Sequence, residues 1–249
     1  MNSTLVKPRC AYAHNLLDNS DFRAPVNQRG EPGYVGNVYT IDRWILWSDK
    51  GTASLAVEAG GIAINPESST IYSLAQRFEK GSLKGTAYTL AYCDYAGNIY
   101  VSPNPIVSQD AFDYVQITGS AWNKIVWVAL YEGTYTADTL PPYQPKGYST
   151  ELAACQRYFA AGTFQLAMPY TGIDGVAQNA YICHVVYPVP MRVQPPTVTI
   201  KNIKTWVNQS PHATTAVVNI ANKDGFNSIW LSEPTNVLLQ FDYEASAEL

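Results

Sequence analysis

The sequence predicts an all-β protein: a jelly-roll or β-sandwich, then a second antiparallel β unit, with one short helix between them. Several segments alternate polar and apolar residues with a period of two, the spacing of a strand with one buried face. Sixteen Gly and sixteen Pro separate the apolar segments, with turn signals about every ten residues, as in sandwiches and barrels. A single segment has apolar residues at helical spacing.

The first part of the chain divides into an arm and the predicted sandwich. Residues 1–14 lack strand or helix periodicity, so we expect either an arm that folds against a partner or a frayed terminus. Residues 15–148 form the sandwich. Within it, residues 87–101 alternate around the turn Ala96-Gly97-Asn98 and predict a β-hairpin. The nearly continuous apolar run at residues 124–133 is typical of a central strand covered on both faces.

The second part, residues 149–249, begins with the predicted helix and continues as antiparallel strands. Ser149 or Thr150 is expected to cap the helix. Its apolar residues at helical spacing are Leu152, Cys155 and Phe159. The clearest strand lies close to the C-terminus, where the residues expected on one face are Val237, Leu239, Phe241 and Tyr243.

The composition argues against several classes of partner. Charged residues make up 14% of the chain and the net charge is −4, with no run of Lys or Arg. Neither nucleic acid nor an anionic membrane surface is therefore expected as a partner. No apolar stretch approaches the roughly 18 residues that suggest a membrane span, and the start lacks the apolar core of a signal peptide. We expect no membrane insertion, and folding in a cytoplasm.

Reactive side chains are scattered along the sequence. The four Cys residues show no CxxC pair, which favours small buried hydrophobes over a zinc site. No nucleophile elbow, HExxH or P-loop is present, so we expect no catalytic residue, metal or cofactor. His184, in an apolar run, is interpreted as a core imidazole. Residues 94–98 and 224–227 offer oxygen ligands for Ca²⁺, although turn formation explains both more simply.

Three segments carry distinctive polar patterns. The first is NLLDNSDFRAPVNQRG (residues 15–30), followed by GYVGNVYTIDRW (33–44). The second is ELAACQRYF (151–159), and the third is YPVPMRVQPPTVTI (187–200). None has the composition of a catalytic motif, so we interpret their polar residues as structural.

The individual residues of these segments have structural interpretations. Asp42 and Arg43 are expected to tie down a loop, Trp44 to anchor the core, and the QRG triplet to form a turn before the first strand. The residues assigned to this structural motif are Gln28, Arg29, Gly30, Asp42, Arg43, Trp44, Cys155, Gln156, Arg157 and Tyr158.

In this order and at these spacings, the three segments resemble a module of structural proteins of tailed bacteriophages and prophages. These are chiefly tail fibres and other receptor-binding appendages. Because residues 1–14 are short, small head fibres, decoration proteins and baseplate or tail-tip proteins are alternatives within the same resemblance. The resemblance covers almost the whole chain from Asn15. It implies a carbohydrate-module-like sandwich, a place on the virion and a homotrimer. Residues 1–14 are too few for a long shaft, and we expect this arm to bind other virion proteins.

Tryptophan and amide side chains are the candidate ligand-binding residues, because a flat ring stacks on the apolar face of a pyranose. Most Trp residues of an all-β protein lie in its core. Trp122 and Trp206 are the better candidates because each has polar neighbours. The predicted ligand-binding residues are Trp122, Asn123, Trp206 and Asn208.

Together with these residues, the resemblance implies a non-enzymatic virion protein, a fibre or receptor-binding appendage that contacts host surface glycans by weak multivalent binding. Two alternatives remain open. One is an assembly or decoration protein of the capsid, neck or tail that binds no glycan. The other is a glycan depolymerase, which would need two carboxylates facing across a cleft.

Overall fold

The computed structural model describes residues 13–67, 70–121, 123–168, 179–193, 195–207, 210–212, 216–232 and 237–249. The chain divides into two compact units, Met1–Glu151 together with Leu249, and Leu152–Glu248. The division falls three residues after the boundary expected from the sequence. The predicted all-β class is confirmed: strands form two antiparallel sheets in each unit, and the described residues contain one helix.

The first unit contains eleven described strands in two antiparallel sheets. The six-stranded sheet has the order β1-β4-β5-β11-β7-β8, and the five-stranded sheet has the order β2-β3-β6-β10-β9. The strands are β1 (Gly33–Val35), β2 (Val38–Tyr39), β3 (Trp44–Ser48), β4 (Ala53–Glu58), β5 (Gly61–Pro66), β6 (Tyr72–Glu79), β7 (Tyr88–Asp94), β8 (Ile99–Pro103), β9 (Val107–Ser108), β10 (Phe112–Gly119) and β11 (Asn123–Glu132).

These sheets pack face to face as a jelly-roll sandwich. The chain passes repeatedly from one sheet to the other, so that β11 lies between β5 and β7 while β10 pairs with β6. Alternate residues of each strand point inward and form one core. Representative core residues from the two sheets are Leu46, Leu74, Ile117, Ile64, Leu90 and Leu130. The predicted hairpin is confirmed, because β7 pairs antiparallel with β8.

A segment that follows β11 covers the outer face of the six-stranded sheet. Tyr143 stacks on Trp127 with ring centroids 4.5 Å apart and planes 4° apart, and Leu140 joins the same cluster. Trp127 points outward from β11, whereas its neighbour Val128 is buried in the inner core. The central strand β11 is therefore covered on both faces, as its apolar sequence predicts.

The helix α1 (Tyr148–Gln156) differs from the prediction at both ends. The backbone N–H groups of Thr150 and Glu151 donate to the carbonyl of Gly147, so the helix begins before the expected caps Ser149 and Thr150. Phe159 already belongs to the next strand. Its helical spacing from Cys155 is incidental, since a strand buries the Phe159 ring equally well.

The second unit is built on two further antiparallel sheets, β12-β18-β14-β15 and β13-β17-β16. Buried residues from both sheets form its core, including Val185, Phe226, Leu239 and Phe241. The strands are β12 (Phe159–Met168), β13 (Asn179–Val186), β14 (Thr197–Val207), β15 (Ser210–His212), β16 (Ala216–Asn222), β17 (Gly225–Ser232) and β18 (Val237–Ser246).

Two sequence expectations for the second unit have different outcomes. In β18 the residues Leu239, Phe241 and Tyr243 are buried on one face, which confirms the predicted alternation. The interpretation of His184 as a core residue is wrong. It lies on the exposed face of β13, where its Nδ1 shares a hydrogen bond with the Asn227 side chain. The alternating neighbours Cys183 and Val185 take the buried positions instead.

Candidate functional site

A cleft of about 610 Å³ opens at one end of the sandwich in the first unit. Both sheets contribute to it, at the start of β6, the β7–β8 turn, the end of β10 and the start of β11. This volume lies within the range of about 300–1,000 Å³ typical of small-molecule sites. The lining residues are Tyr72, Tyr92, Asp94, Tyr95, Ala96, Tyr100, Thr118, Gly119, Ser120, Ala121, Asn123 and Lys124.

One wall of the cleft is a pair of stacked tyrosines. Tyr92 of β7 and Tyr100 of β8 are directly opposite each other in the hairpin. Their ring centroids lie 4.7 Å apart, with 13° between the planes. Tyr92 is half-buried against the core, whereas Tyr100 is 44% exposed. The pair therefore supports an aromatic surface that is open to solvent.

The floor is formed by Tyr72, which is 1% exposed. Its hydroxyl shares a hydrogen bond with the Asn123 side chain, and burial raises the pKa of the phenol. Gly119, opposite Tyr72 in the β6–β10 ladder, leaves room for this hydroxyl. A Cβ at that position would lie 2.6 Å from the Tyr72 oxygen, so any larger residue would displace the Tyr72 side chain.

Asp94 organises the turn beside the aromatic wall. Its Oδ1 accepts from the backbone N–H of Asn98 at 2.8 Å, and its Oδ2 accepts from the Asn98 amide at 2.8 Å and the Tyr100 hydroxyl at 3.0 Å. The Asn98 side chain, as the largest influence, lowers the pKa of Asp94 below its usual range. The hydrogen bond to Asp94 raises the pKa of Tyr100. The carboxylate is therefore ionised at neutral pH and holds the Tyr100 ring in place.

Lys124 and Tyr95 form the rim of the cleft. The Lys124 ammonium lies 4.0 Å from the centroid of the Tyr95 ring and 2.8 Å from the Glu58 carboxylate. Hydrogen bonding to Glu58 raises the pKa of Lys124. Tyr95 is 60% exposed, so the ion pair positions a second accessible ring beside the cleft.

The cleft combines exposed aromatic faces with hydrogen-bonding groups. The rings can contact an apolar surface, while Asp94 can accept and Asn123 can both donate and accept hydrogen bonds. Among the described residues that line the cleft, Asp94 is the one carboxylate. Acid–base hydrolysis of a glycoside ordinarily requires two carboxyl groups facing each other.

The four ligand-binding residues predicted from the sequence have different outcomes. Asn123 lines the cleft. Trp122 and Asn208 lie outside the described residues, and Trp206 is placed in β14 without a described side chain. The described residues bring no other member of this set to the cleft.

Sequence reasoning missed the tyrosines that form the cleft. The signal for Tyr92 and Tyr100 was present, because the predicted hairpin pairs two aromatic residues across a short turn. No comparable pattern marks Tyr72, whose contribution depends on the register between β6 and β10.

The first motif forms a buried polar cluster elsewhere in the first unit. The Gln28 amide donates to Asp42 Oδ2 at 2.7 Å, and Arg29 Nη1 donates to Asp42 Oδ1 at 3.1 Å. Gly30 closes the turn after them with a φ of 73°, where glycine meets no Cβ penalty. The Trp44 indole donates to the carbonyl of Asn19 at 2.8 Å. These contacts join two separate stretches of the motif.

Arg43 turns away from Asp42 and faces other partners. Its φ of 72° is unusual for a residue with a Cβ. Arg43 Nη2 donates to the carbonyl of Arg77 at 2.8 Å, and its Nε lies 3.4 Å from Asp18 Oδ2. The two adjacent residues Asp42 and Arg43 thus stabilise different loops.

The second and third motifs meet in the second unit. The N–H of Tyr158 donates to the carbonyl of Cys155, and the N–H of Arg192 donates to the carbonyl of Arg157 at 2.7 Å. The N–H of Ala247 donates to the carbonyl of Tyr158 at 2.7 Å. Cys155 is buried, while Gln156 is half-buried beside it. These backbone contacts join three separate parts of the sequence.

The two candidate Ca²⁺ segments form turns. Asp94 bonds within its own turn, and the Asn222 side chain accepts from the N–H groups of Asp224 and Gly225 at 2.8 and 3.0 Å. In the part of the chain that the structure describes, no three His, Cys, Asp or Glu residues cluster as metal ligands. No helix there has the length and apolar character to cross a membrane.

No family model matches the chain, and no curated protein matches it. Two solved structures are similar to this chain. Wild-type discoidin II from Dictyostelium discoideum is 14% identical, with a TM-score of 0.30, and the match covers 78% of this chain and 80% of that chain. Native recombinant discoidin II of the same organism is 17% identical, with a TM-score of 0.29, and the match covers 72% of this chain and 78% of that chain.

Proposed function

We propose that the protein binds glycans non-covalently through the cleft at the end of its sandwich. The observation that carries this proposal is the stacked pair of Tyr92 and Tyr100, whose exposed ring lies beside the hydrogen-bonding groups of Asp94 and Asn123. A pyranose presents an apolar face for such a ring and hydroxyl groups around its edge. The cleft offers groups complementary to both.

The expected affinity of a single site is low. The cleft is shallow and open, and its polar lining is largely solvated before binding. Sites of this kind bind with millimolar to high-micromolar dissociation constants, on the order of 4–6 kcal/mol. Several sites in one oligomer, engaging one cell surface, would raise the overall avidity without new contacts.

The proposed biological setting is a bacteriophage or prophage virion. The sequence resemblance described above supports a tail-fibre, head-fibre or other receptor-binding role, with a homotrimer as the assembly. Residues 1–12 of the predicted attachment arm lie outside the described residues, so the arm remains a proposal from the sequence. A protein that contacts a receptor by repeated weak sites would gain from trimeric display.

We also propose that the protein is not an enzyme. This part of the proposal is supported by the isolation of Asp94 among the described lining residues. A depolymerase would be revealed by new reducing ends on host polysaccharide. An assembly protein without glycan binding would be revealed by incorporation into particles and no glycan signal.

Replacing Tyr100 with alanine tests the glycan site. Tyr100→Ala removes the exposed ring, and we expect binding on a glycan array to weaken about fivefold to tenfold, the worth of an aromatic contact. Tyr100→Phe keeps the ring and loses the bond to Asp94, so it should retain most of the binding. The measurement is titration of the strongest array ligand by isothermal calorimetry.

Tyr148→Ala is the matched control for this experiment. Tyr148 is 57% exposed at the start of α1 and does not line the cleft, so its removal should leave binding unchanged. Equal weakening by Tyr100→Ala and Tyr148→Ala would place the ligand elsewhere. Release of reducing sugar by the wild-type protein would replace the binding proposal with catalysis.

A further inference from the structure

The charges around the cleft are unequal. Asp94 and Glu58 carry two carboxylates, and Lys124 carries one ammonium. The Lys124 ammonium is already engaged by Glu58 at 2.8 Å and by the ring of Tyr95 at 4.0 Å. Among the described residues of the cleft, no second cation is present to balance Asp94.

Asp94 keeps its negative charge at the cleft. Its oxygens accept hydrogen bonds from the backbone and side chain of Asn98 and from the Tyr100 hydroxyl, and the backbone N–H of Ala96 also acts on them. All of these donors are neutral. Asp94 lines the open cleft, so a donor from a ligand can approach its oxygens. A sugar hydroxyl can supply that donor, whereas a second carboxylate cannot and would be repelled.

The remaining lining residues reinforce this selectivity. Thr118, Ser120 and Asn123 are uncharged, and their side chains suit hydroxyl groups rather than full charges. The aromatic surface of Tyr100 is insensitive to the charge of a sugar but needs its apolar face to approach closely. Such an approach brings a carboxyl substituent on the ring within a few ångströms of Asp94.

We propose that the cleft selects neutral hexose glycans and excludes glycans built from uronic or other acidic sugars. This inference rests on the proposed glycan-binding function and specifies its ligand class. Lys124 acts here as a positioning residue for Tyr95, and Asp94 supplies both a hydrogen-bond acceptor and the charge that rejects anions.

Paired glycan fragments test the proposal on the full-length protein. Glucan, mannan and galactan fragments are compared with glucuronan, alginate and polygalacturonate fragments by calorimetric titration. We expect at least one neutral fragment to bind, and its acidic counterpart to bind at least about tenfold more weakly. Because the discrimination is electrostatic, the difference should shrink at high salt.

Two substitutions identify the source of the discrimination. Asp94→Asn removes the charge and keeps one acceptor for the turn, so acidic fragments should gain affinity relative to neutral ones. Asp110→Asn is the matched control, since exposed Asp110 lies near the opposite end of β10, roughly 25 Å along the strand. It should leave the preference unchanged.

The outcomes separate the two proposals. Acidic fragments that bind as tightly as their neutral counterparts would overturn the selectivity and leave glycan binding intact. A preference that survives in Asp94→Asn and is independent of salt would also overturn it. Failure of both series to bind would reject the glycan-binding proposal itself, and the selectivity with it.

Discussion

At the scale of single residues, Asp42 shows how the motif near the start of the sequence works. Its side chain is fully buried, and burial raises its pKa from an ordinary value of 3.8 to about 6, despite opposing hydrogen bonding by Gln28 and attraction to Arg29. The folded state therefore binds a proton at Asp42 more tightly than the unfolded state does. Protonation of this group stabilises the fold at acidic pH.

The pH dependence of stability follows from that difference. As the pH rises from about 4 to about 6, the contribution of Asp42 to the free energy of unfolding should fall by up to ~3 kcal/mol. Asp42→Asn should remove this component, and urea denaturation across the pH range measures it. Asp110→Asn, at an exposed site, should keep the wild-type dependence. An unchanged profile in Asp42→Asn would contradict the assignment.

The sequence predicted that Asp42 and Arg43 hold a loop in place, but it did not identify the residues with which they form hydrogen bonds. Adjacent residues of opposite charge suggest one local pair. The left-handed backbone at Arg43 separates the two side chains, so that Asp42 faces Gln28 and Arg29 while Arg43 faces Asp18 and the Arg77 carbonyl. The surrounding fold determines this left-handed backbone conformation, and an Arg residue in a sequence does not indicate it.

At the scale of elements, the segment after β11 packs against the six-stranded sheet as well as connecting β11 to α1. Tyr143 stacks on Trp127, and its hydroxyl lies 3.3 Å from the hydroxyl of Ser20. Burial raises the pKa of Tyr143 above its usual range. The segment contains Pro141, Pro142 and Pro145, and proline is typical of loops. How a loop packs against a sheet, however, depends on which side chains the sheet presents on its outer face.

Removing the Tyr143 ring should destabilise the first unit. Tyr143→Ala loses the aromatic stack and uncovers Trp127, at an expected cost of about 2 kcal/mol. The midpoint of chemical denaturation and the Trp fluorescence maximum report the change. Tyr148→Ala, which removes an exposed ring from α1, should cost less than about 0.5 kcal/mol. Equal losses in the two variants would show that the stack contributes nothing.

At the scale of the whole molecule, each unit has a core of its own. Leu46 belongs to the core of the first unit and Phe241 to the core of the second, and both are fully buried. A chain with two separate cores is expected to unfold in more than one step. This expectation extends the two-part organisation predicted from the sequence.

Cavity-creating substitutions can assign the steps. Leu46→Ala should lower the free energy of unfolding of the first unit by about 2–5 kcal/mol and so shift one calorimetric transition to lower temperature. Phe241→Ala should lower the free energy of unfolding of the second unit by about 3–5 kcal/mol and shift the other transition. Each variant leaves the second transition in place and so serves as the control for its counterpart. A single transition shifted by either substitution would show that the units unfold as one.

The fold class was predictable from the sequence, whereas the cleft was not. Strand periodicity and turn residues are local, so β7, β8, β11 and β18 could be recognised from short stretches. The cleft combines residues from three distant parts of the chain, and of its lining residues only Asn123 was predicted to contact a glycan. Side chains meet there because of sheet register and crossover, which depend on the complete topology.

The separation of Tyr72 from Arg77 on β6 has an evolutionary consequence. Tyr72 lines the cleft, whereas the carbonyl of Arg77 receives Arg43 from the buried polar cluster, roughly 17 Å further along the strand. Changes in the β7–β8 turn can therefore accumulate without disturbing the contacts that Asp42 and Arg43 make. The lining of the cleft can therefore vary while the ability of the sandwich to fold is inherited unchanged.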